Sequence, residues 1–218
     1  MVRMANASQN NHVAGREPFR LIVAITGATG AIYGIRLLQA LRELNVESHL
    51  ILSKWGARTM LHETPHTLEQ VQEMASHHYA SQDQGAVISS GSFITRGMVI
   101  CPCSVRSLGA IAHGWGDTLV HRAADVVLKE RRRLVLVVRE TPLNDIHLEN
   151  MLKLSRMGAT IFPPVPAFYT HPQTIDDIVD QTVMRVMDQF GLHLRSGRRW
   201  QGLRSQPETA GKKAHQRN

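Results

Sequence analysis

The chain has 218 residues, of which 43% are apolar and 20% charged, with two cysteines and a formal charge of +7. That length buries a full core without cross-links, and two cysteines exclude both a disulfide scaffold and a four-thiolate zinc site. The basic surplus is mostly a tail: residues 195–218 hold seven Lys or Arg and one acid, Glu208, without a recognition motif or interleaved aromatics, so no specific nucleic-acid groove is expected.

The amino terminus has Arg3 but no apolar stretch after it, and no run approaches the roughly 18 apolar residues of a membrane span, so a cytoplasmic protein without membrane insertion is expected. Among the 12 histidines, His77-His78 stands in neither an HExxH nor a His-x-His frame, and no metal site is expected.

Residues 1–18 are polar and read as a flexible leader. The ordered body opens with a strand over Leu21–Ile25, ending in Thr26-Gly27-Ala28-Thr29-Gly30. Ile32, Ile35, Leu38 and Leu41 give the following helix, 31–44, one buried stripe. A second strand covers 46–52 with Ser53 at its end, and 55–62 reads as helical, with Glu63 at its last turn. Residues 64–86 are polar and show no regular pattern. A short strand at 98–101 precedes Pro102-Cys103-Ser104, and helices are expected over 105–113 and 118–131.

The continuous run Leu134-Val135-Leu136-Val137-Val138 does not alternate, as expected of a strand buried on both faces of a parallel sheet. It delivers Arg139 and Glu140 to the end of that strand, where open α/β sheets bind ligands. An exposed Arg–Glu pair is worth only about 0–1 kcal/mol, so a site is a better reason for the placement than surface decoration. A helix over 146–157, a strand at 159–162, the turn Pro163-Pro164-Val165-Pro166 and an amphipathic helix over 175–190 complete the body. Strands alternating with helices indicate a doubly wound α/β domain over 19–194, followed by a basic tail over 195–218.

The GATG turn joins a buried strand to a helix, so it is either a tight turn alone or a cradle for a phosphate or cofactor edge. It is not GxGxxG, and Ser53 stands where a dinucleotide fold places an acid. Ser53, Ser90, Ser92, Ser104 and Ser107 each read as a helix cap or, if they converge, as neutral donors to a ligand. Cys101-Pro102-Cys103 reads as small buried side chains with a stiff turn, since CxC lacks redox spacing. Arg122, Lys129, Arg139 and Arg185 are candidate anion ligands, whereas Arg131-Arg132-Arg133 reads as a solvated helix end. Tyr169, on a strand extension, either caps the core or binds phosphate; Trp200 either anchors the tail to a neighbouring subunit or covers a pocket.

These stretches resemble the UbiX-like flavin prenyltransferases, in the branch associated with aromatic-acid decarboxylases. The resemblance rests on TGATGAIYG at 26–34, ILSKWG at 51–56, SSGSF at 89–93, CPCS at 101–104, RAADVVLKERR at 122–132, RETPL at 139–143, IHLENMLKLSRMG at 146–158, PAFYTHPQT at 166–174 and RRWQGL at 198–203. It implies a flavodoxin-like Rossmann three-layer sandwich with a mostly parallel sheet. It also implies a homo-oligomer, often a dodecamer, with active sites at subunit junctions. The implied activity moves a dimethylallyl group from dimethylallyl phosphate to reduced FMN and closes a fourth ring through flavin N5 and C6. The prenylated FMN then serves a partner UbiD-like decarboxylase.

By the same resemblance Gly27, Ala28, Thr29, Ser53, Ser90, the Ser104-Val105-Arg106-Ser107 turn and Arg139 bind FMN. Arg122, Lys129, Tyr169 and Arg185 hold the prenyl phosphate, partly across a subunit boundary, and Trp200 closes the site. Glu140 handles the proton and Glu63 tunes or relays it. The basic groups take the part that magnesium plays with diphosphate substrates, so the transfer is expected to need no metal. Thr29 stands where other members have Ser, and Arg106 either alters flavin affinity or points outward. Two other readings compete: a direct FMN-dependent aromatic-acid decarboxylase, and a noncatalytic subunit that binds or delivers flavin.

Overall fold

A computed structural model describes residues 18–194, 199, 200 and 202. The leader expected over 1–18 lies outside these residues apart from Pro18, and so does the tail apart from Arg199, Trp200 and Gly202. Six strands form one parallel sheet: β1 (Arg20–Ile25), β2 (Glu47–Leu52), β3 (His77–Ala80), β4 (Gly97–Cys103), β5 (Arg133–Val138) and β6 (Thr160–Ile161), in the order β3-β2-β1-β4-β5-β6. The chain winds outward from β1 to β3, then returns to place β4 on the other side of β1. That reversal opens a crevice at the carboxyl ends of β1 and β4.

Helices cover both faces. On one, α1 (Ala31–Glu43) and α7 (Ile175–Asp188) bury Ile35, Leu38, Val183 and Met187 against Leu21, Val23 and Val135, with α2 (Lys54–Glu63) and α3 (Leu68–Glu73) adding Met60 and Val71. On the other, α4 (Val105–Ala112), α5 (Leu119–Lys129) and α6 (Asp145–Arg156) bury Leu108, Val120, Val127 and Leu154 against Ile22, Ile100 and Leu136. β5 behaves as its composition requires, with every residue from Leu134 to Val138 buried. Gly34 lets α1 settle onto the sheet, because a Cβ there would stand 2.4 Å from the Cys101 carbonyl oxygen.

Four details differ from the sequence reading. The polar stretch 64–86 contains α3, begun by a capping box in which Thr67 and Gln70 exchange hydrogen bonds, and the edge strand β3. Cys101-Pro102-Cys103 is the end of β4, with an irregular register between Ile100 and Cys103. Tyr169 sits on a 3-10 turn, Phe168–Thr170, because β6 stops at Ile161. Arg132 is no solvated helix end: its guanidinium donates to the carbonyls of Phe93 (2.8 Å) and Gly91 (2.5 Å), fastening the SSGSF loop to the end of α5.

Candidate active site

Thr26, buried at the end of β1, ties the strand ends together. Its hydroxyl donates to the Pro102 carbonyl at 2.8 Å and accepts from the Ser104 amide at 2.8 Å, while the Arg139 amide donates to the Cys103 carbonyl at 3.2 Å. The loops after β1, β4 and β5 are thereby fixed to one another before any ligand is considered. Around them opens a cleft of about 750 Å³, within the usual range for a cofactor site.

Its lining gathers the carboxyl ends of five strands: Gly27, Ala28 and Thr29 after β1; Ser53 after β2; Ser81 and Gln82 after β3; Ser104, Val105, Arg106 and Ser107 after β4; Arg139 and Glu140 after β5. The first turn of α2 adds Lys54 and Trp55, and the start of α5 adds Asp117, Thr118, Val120 and His121. Gly27 is required by the close pass of that aromatic, since a Cβ on it would lie 2.5 Å from Trp55 Cβ.

The serines divide. Ser53 and Ser104 are helix caps that also line the cleft: Ser53 Oγ accepts from the Gly56 amide at 2.9 Å, and Ser104 Oγ accepts from the Ser107 amide at 3.3 Å. Ser90 and Ser92 instead bond to each other at 2.9 Å, outside the cleft lining. Two amides of the GATG turn and the first amide of α1 are already engaged. Ala28 donates to the Thr26 carbonyl, and Gly30 and Ala31 donate to Glu63 Oε2 at 2.8 and 3.1 Å. Glu63 therefore supplies the anion at the positive end of α1, from a position beside the cleft rather than in its lining.

Arg139 and Glu140 both line the cleft, and no ion pair joins them among the described residues. Glu140 Oε1 accepts from the Thr141 amide at 3.2 Å. Arg106 is exposed and belongs to the lining. The thiols of Cys101 and Cys103 are fully buried, which pushes Cys103 up to about 12 and Cys101 further in the same direction, so neither is a nucleophile at neutral pH.

The four residues expected on the prenyl phosphate, and Trp200 expected to close the site, are not in the cleft of one chain. Arg122 donates to the Ser89 carbonyl at 3.3 Å and pairs with Asp125 at 2.9 Å, and Lys129 pairs with Glu130 against Gly91, so both stand beside Ser90. The second group lies at the end of α7. There Tyr169 meets Trp200 edge to face at 5.6 Å, Gln181 donates to the Tyr169 hydroxyl at 3.3 Å, and Arg185 pairs with Asp188 at 3.0 Å.

A doubly wound parallel sheet with a hydroxyl-rich cleft at its switch point, one arginine at a strand end and no acid after β2 defines a flavin-binding α/β protein. A family model described as Flavoprotein matches residues 9–187. A probable UbiX-like flavin prenyltransferase of Bacillus subtilis is 54% identical over 187 residues, covering 86% of this chain and 92% of its own. The crystal structure of AnUbiX (PadA1) with FMN and dimethylallyl pyrophosphate is 52% identical, superposes with a TM-score of 0.84, and covers 85% of this chain and 98% of its own. A dodecameric FMN-dependent UbiX-like decarboxylase from Escherichia coli O157:H7 is 58% identical, with a TM-score of 0.83 and coverage of 84% and 100%. The chain belongs to the UbiX-like flavin prenyltransferases.

Proposed function

We propose that the chain transfers a dimethylallyl group from dimethylallyl phosphate to reduced FMN and closes a fourth ring on it, supplying prenylated FMN to a UbiD-like decarboxylase. The observation that carries this reading is the cleft in which Arg139 and Glu140 share one strand end with Thr29, Ser53, Ser104 and Ser107. FMN fits that cleft in volume and in chemistry: hydroxyls for its polar chain, the apolar body of Trp55 and Val105 for its rings, and the Arg139 guanidinium for a carbonyl or phosphate. Bound and reduced, the flavin supplies an electron-rich ring able to take up an allyl cation.

The residues divide the remaining work. Gly27, Ala28, Thr29, Ser53, Ser90, the Ser104–Ser107 turn and Arg139 hold the flavin. Glu140 moves the proton that ring closure releases, and Glu63 steadies the α1 terminus while tuning that transfer. Arg122, Lys129, Tyr169 and Arg185 stabilise the departing phosphate, whose negative charge needs prepositioned donors, and Trp200 excludes water. The AnUbiX complex holds the pyrophosphate ester, so both esters are donors to try.

Because the two phosphate-binding groups stand apart from the cleft, a complete site needs residues from neighbouring copies. A homo-oligomer, dodecameric as in the Escherichia coli O157:H7 relative, brings them together. Ile146, Phe168 and Ile175, exposed by 66%, 71% and 79%, are the kind of apolar surface that such an assembly covers. Cytoplasmic placement accords with the reduced flavin and the free thiols. Among the described residues no helix is long and apolar enough to cross a membrane.

Reconstitution tests the reading. The flavin product released by the chain, added to a cofactor-free UbiD-like decarboxylase, should restore decarboxylation of an aromatic acid, while the chain alone should release no carbon dioxide. Decarboxylation by the chain alone would replace this reading with the direct decarboxylase.

A further inference from the structure

At the amino-terminal edge of the sheet, away from the strand ends that form the cleft, Glu47 and His49 occupy alternate positions of β2 and so share one face. His77 opens β3 in register with His49. Glu47 Oε1 lies 3.2 Å from His49 Nε2 and 3.6 Å from His77 Nε2, and one ligand atom from each of the three residues falls within 4.8 Å of the others. In a tetrahedral zinc shell with bonds of about 2.0–2.1 Å, neighbouring donors stand about 3.3 Å apart. The two separations from Glu47 already suit such a shell. His77, whose side chain is 54% exposed, has room to rotate and close the third.

The surroundings support ligation. His49 is 2% exposed and its second nitrogen, Nδ1, lies 2.9 Å from the Tyr79 hydroxyl, the kind of outer hydrogen bond that fixes the tautomer of a metal-bound imidazole. When the phenol donates to Nδ1, Nε2 keeps its proton and donates to Glu47. When the ring proton sits on Nδ1 and donates to the phenol oxygen, the Nε2 lone pair is free for a metal. Arg20 Nε straddles both Glu47 oxygens at 3.2 Å, and its guanidinium rests on the Phe93 ring, 5.0 Å from the centroid. A carboxylate has about four lone-pair sites, so this contact leaves Oε1 able to accept from a second cation.

We propose that Glu47, His49 and His77 form a binding site for a divalent transition-metal ion, zinc in the first place, with water completing the shell on the exposed side. Two imidazoles and one carboxylate are the ligand set that zinc accepts with an open position. The site is remote from the flavin cleft, so its role is structural. β3 has four residues, three of them exposed, and it delivers Ser81 and Gln82 to the cleft. A metal joining the first residue of β3 to β2 pins that strand where side-chain burial does not.

The test uses tag-free full-length protein stripped by dialysis against a chelator and titrated with zinc by calorimetry, with hydrogen exchange of 77–80 followed in parallel. The expected result is one ion per chain and slower exchange in β3. His77→Ala, at an exposed position that keeps the fold, should lose the binding, and Tyr79→Phe should weaken it about 10- to 100-fold. His78→Ala, on the opposite face of β3, should bind as the parent does. Absence of saturable binding, or an unchanged isotherm in His77→Ala, would overturn the proposal and leave only adventitious contacts with surface histidines. Neither readout depends on flavin or on turnover.

Discussion

Glu63 Oε2 accepts from the Gly30 amide at 2.8 Å and joins the last residue of α2 to the first turn of α1. The terminus that could have received the flavin phosphate is occupied by the chain's own carboxylate, so the GATG turn serves the cleft through Ala28 and Thr29. Loss of such a cap costs about 1 kcal/mol. Glu63→Ala should lower stability in urea by about that much. Glu63→Gln should recover most of it but still slow adduct formation, which single-turnover measurements with reduced FMN would resolve. Equal rates in Glu63→Gln and parent protein would leave Glu63 as a cap alone.

Arg139 and Glu140 are adjacent but have separate tasks. Glu140→Gln should bind FMN as the parent does while slowing adduct formation by about 10²–10⁴-fold, the usual share of a positioned proton carrier. Arg139→Ala should raise the Kd for FMN and affect the bound-state rate much less. Flavin fluorescence titration and quenched-flow mass analysis separate the two. Unchanged turnover in Glu140→Gln would remove it from the proton path.

Arg185 is held by Asp188, which also receives both guanidinium nitrogens of Arg199, at 2.8 and 2.7 Å, and His193 at 2.9 Å. The Arg199 hydrogen bonds, helped by His193 and the positive charge of Arg185, lower the Asp188 carboxyl from 3.8 to about 2 against the opposing effect of burial. A lowered folded-state value means that the unfolded chain takes up the proton first. The stabilisation is therefore complete above about pH 4 and is lost as pH falls towards 2, with a size of about 1–2 kcal/mol after allowance for the exposed arginine. Asp188→Asn should reduce stability at pH 7 and flatten the acid limb of a denaturation profile. Arg185→Ala should chiefly raise the KM for the prenyl phosphate.

Both cysteines are buried and protonated at neutral pH. Iodoacetamide at pH 8 should label neither in the folded protein and both in guanidinium, as counted by intact mass. Rapid labelling of the native chain would contradict the packing of Cys101 and Cys103 at the end of β4.

Much of this architecture is legible where burial dictates residue type. The run Leu134–Val138 is apolar on both faces because helices cover both, and from it the positions of Arg139 and Glu140 follow. The edge strand β3 is not legible: His77 and His78 are exposed, and its order comes from backbone pairing with β2. Missing β3 hides Ser81 and Gln82, and His121 is hidden because it reaches the cleft from a helix start rather than from a strand end. The Thr67-x-x-Gln70 capping box was a readable sign of α3 inside a stretch without apolar rhythm. Arg132 shows the opposite failure, since its carbonyl partners in 91–93 are brought near only by the fold.

The most direct measurement is the mass of the flavin after anaerobic incubation of the protein with reduced FMN and dimethylallyl phosphate, repeated with the pyrophosphate. The parent protein should yield a flavin heavier by one five-carbon unit, and Glu140→Gln little of it. Unchanged flavin recovered from parent protein fully loaded with FMN, with either ester, would contradict prenyl transfer and leave a subunit that binds flavin without altering it.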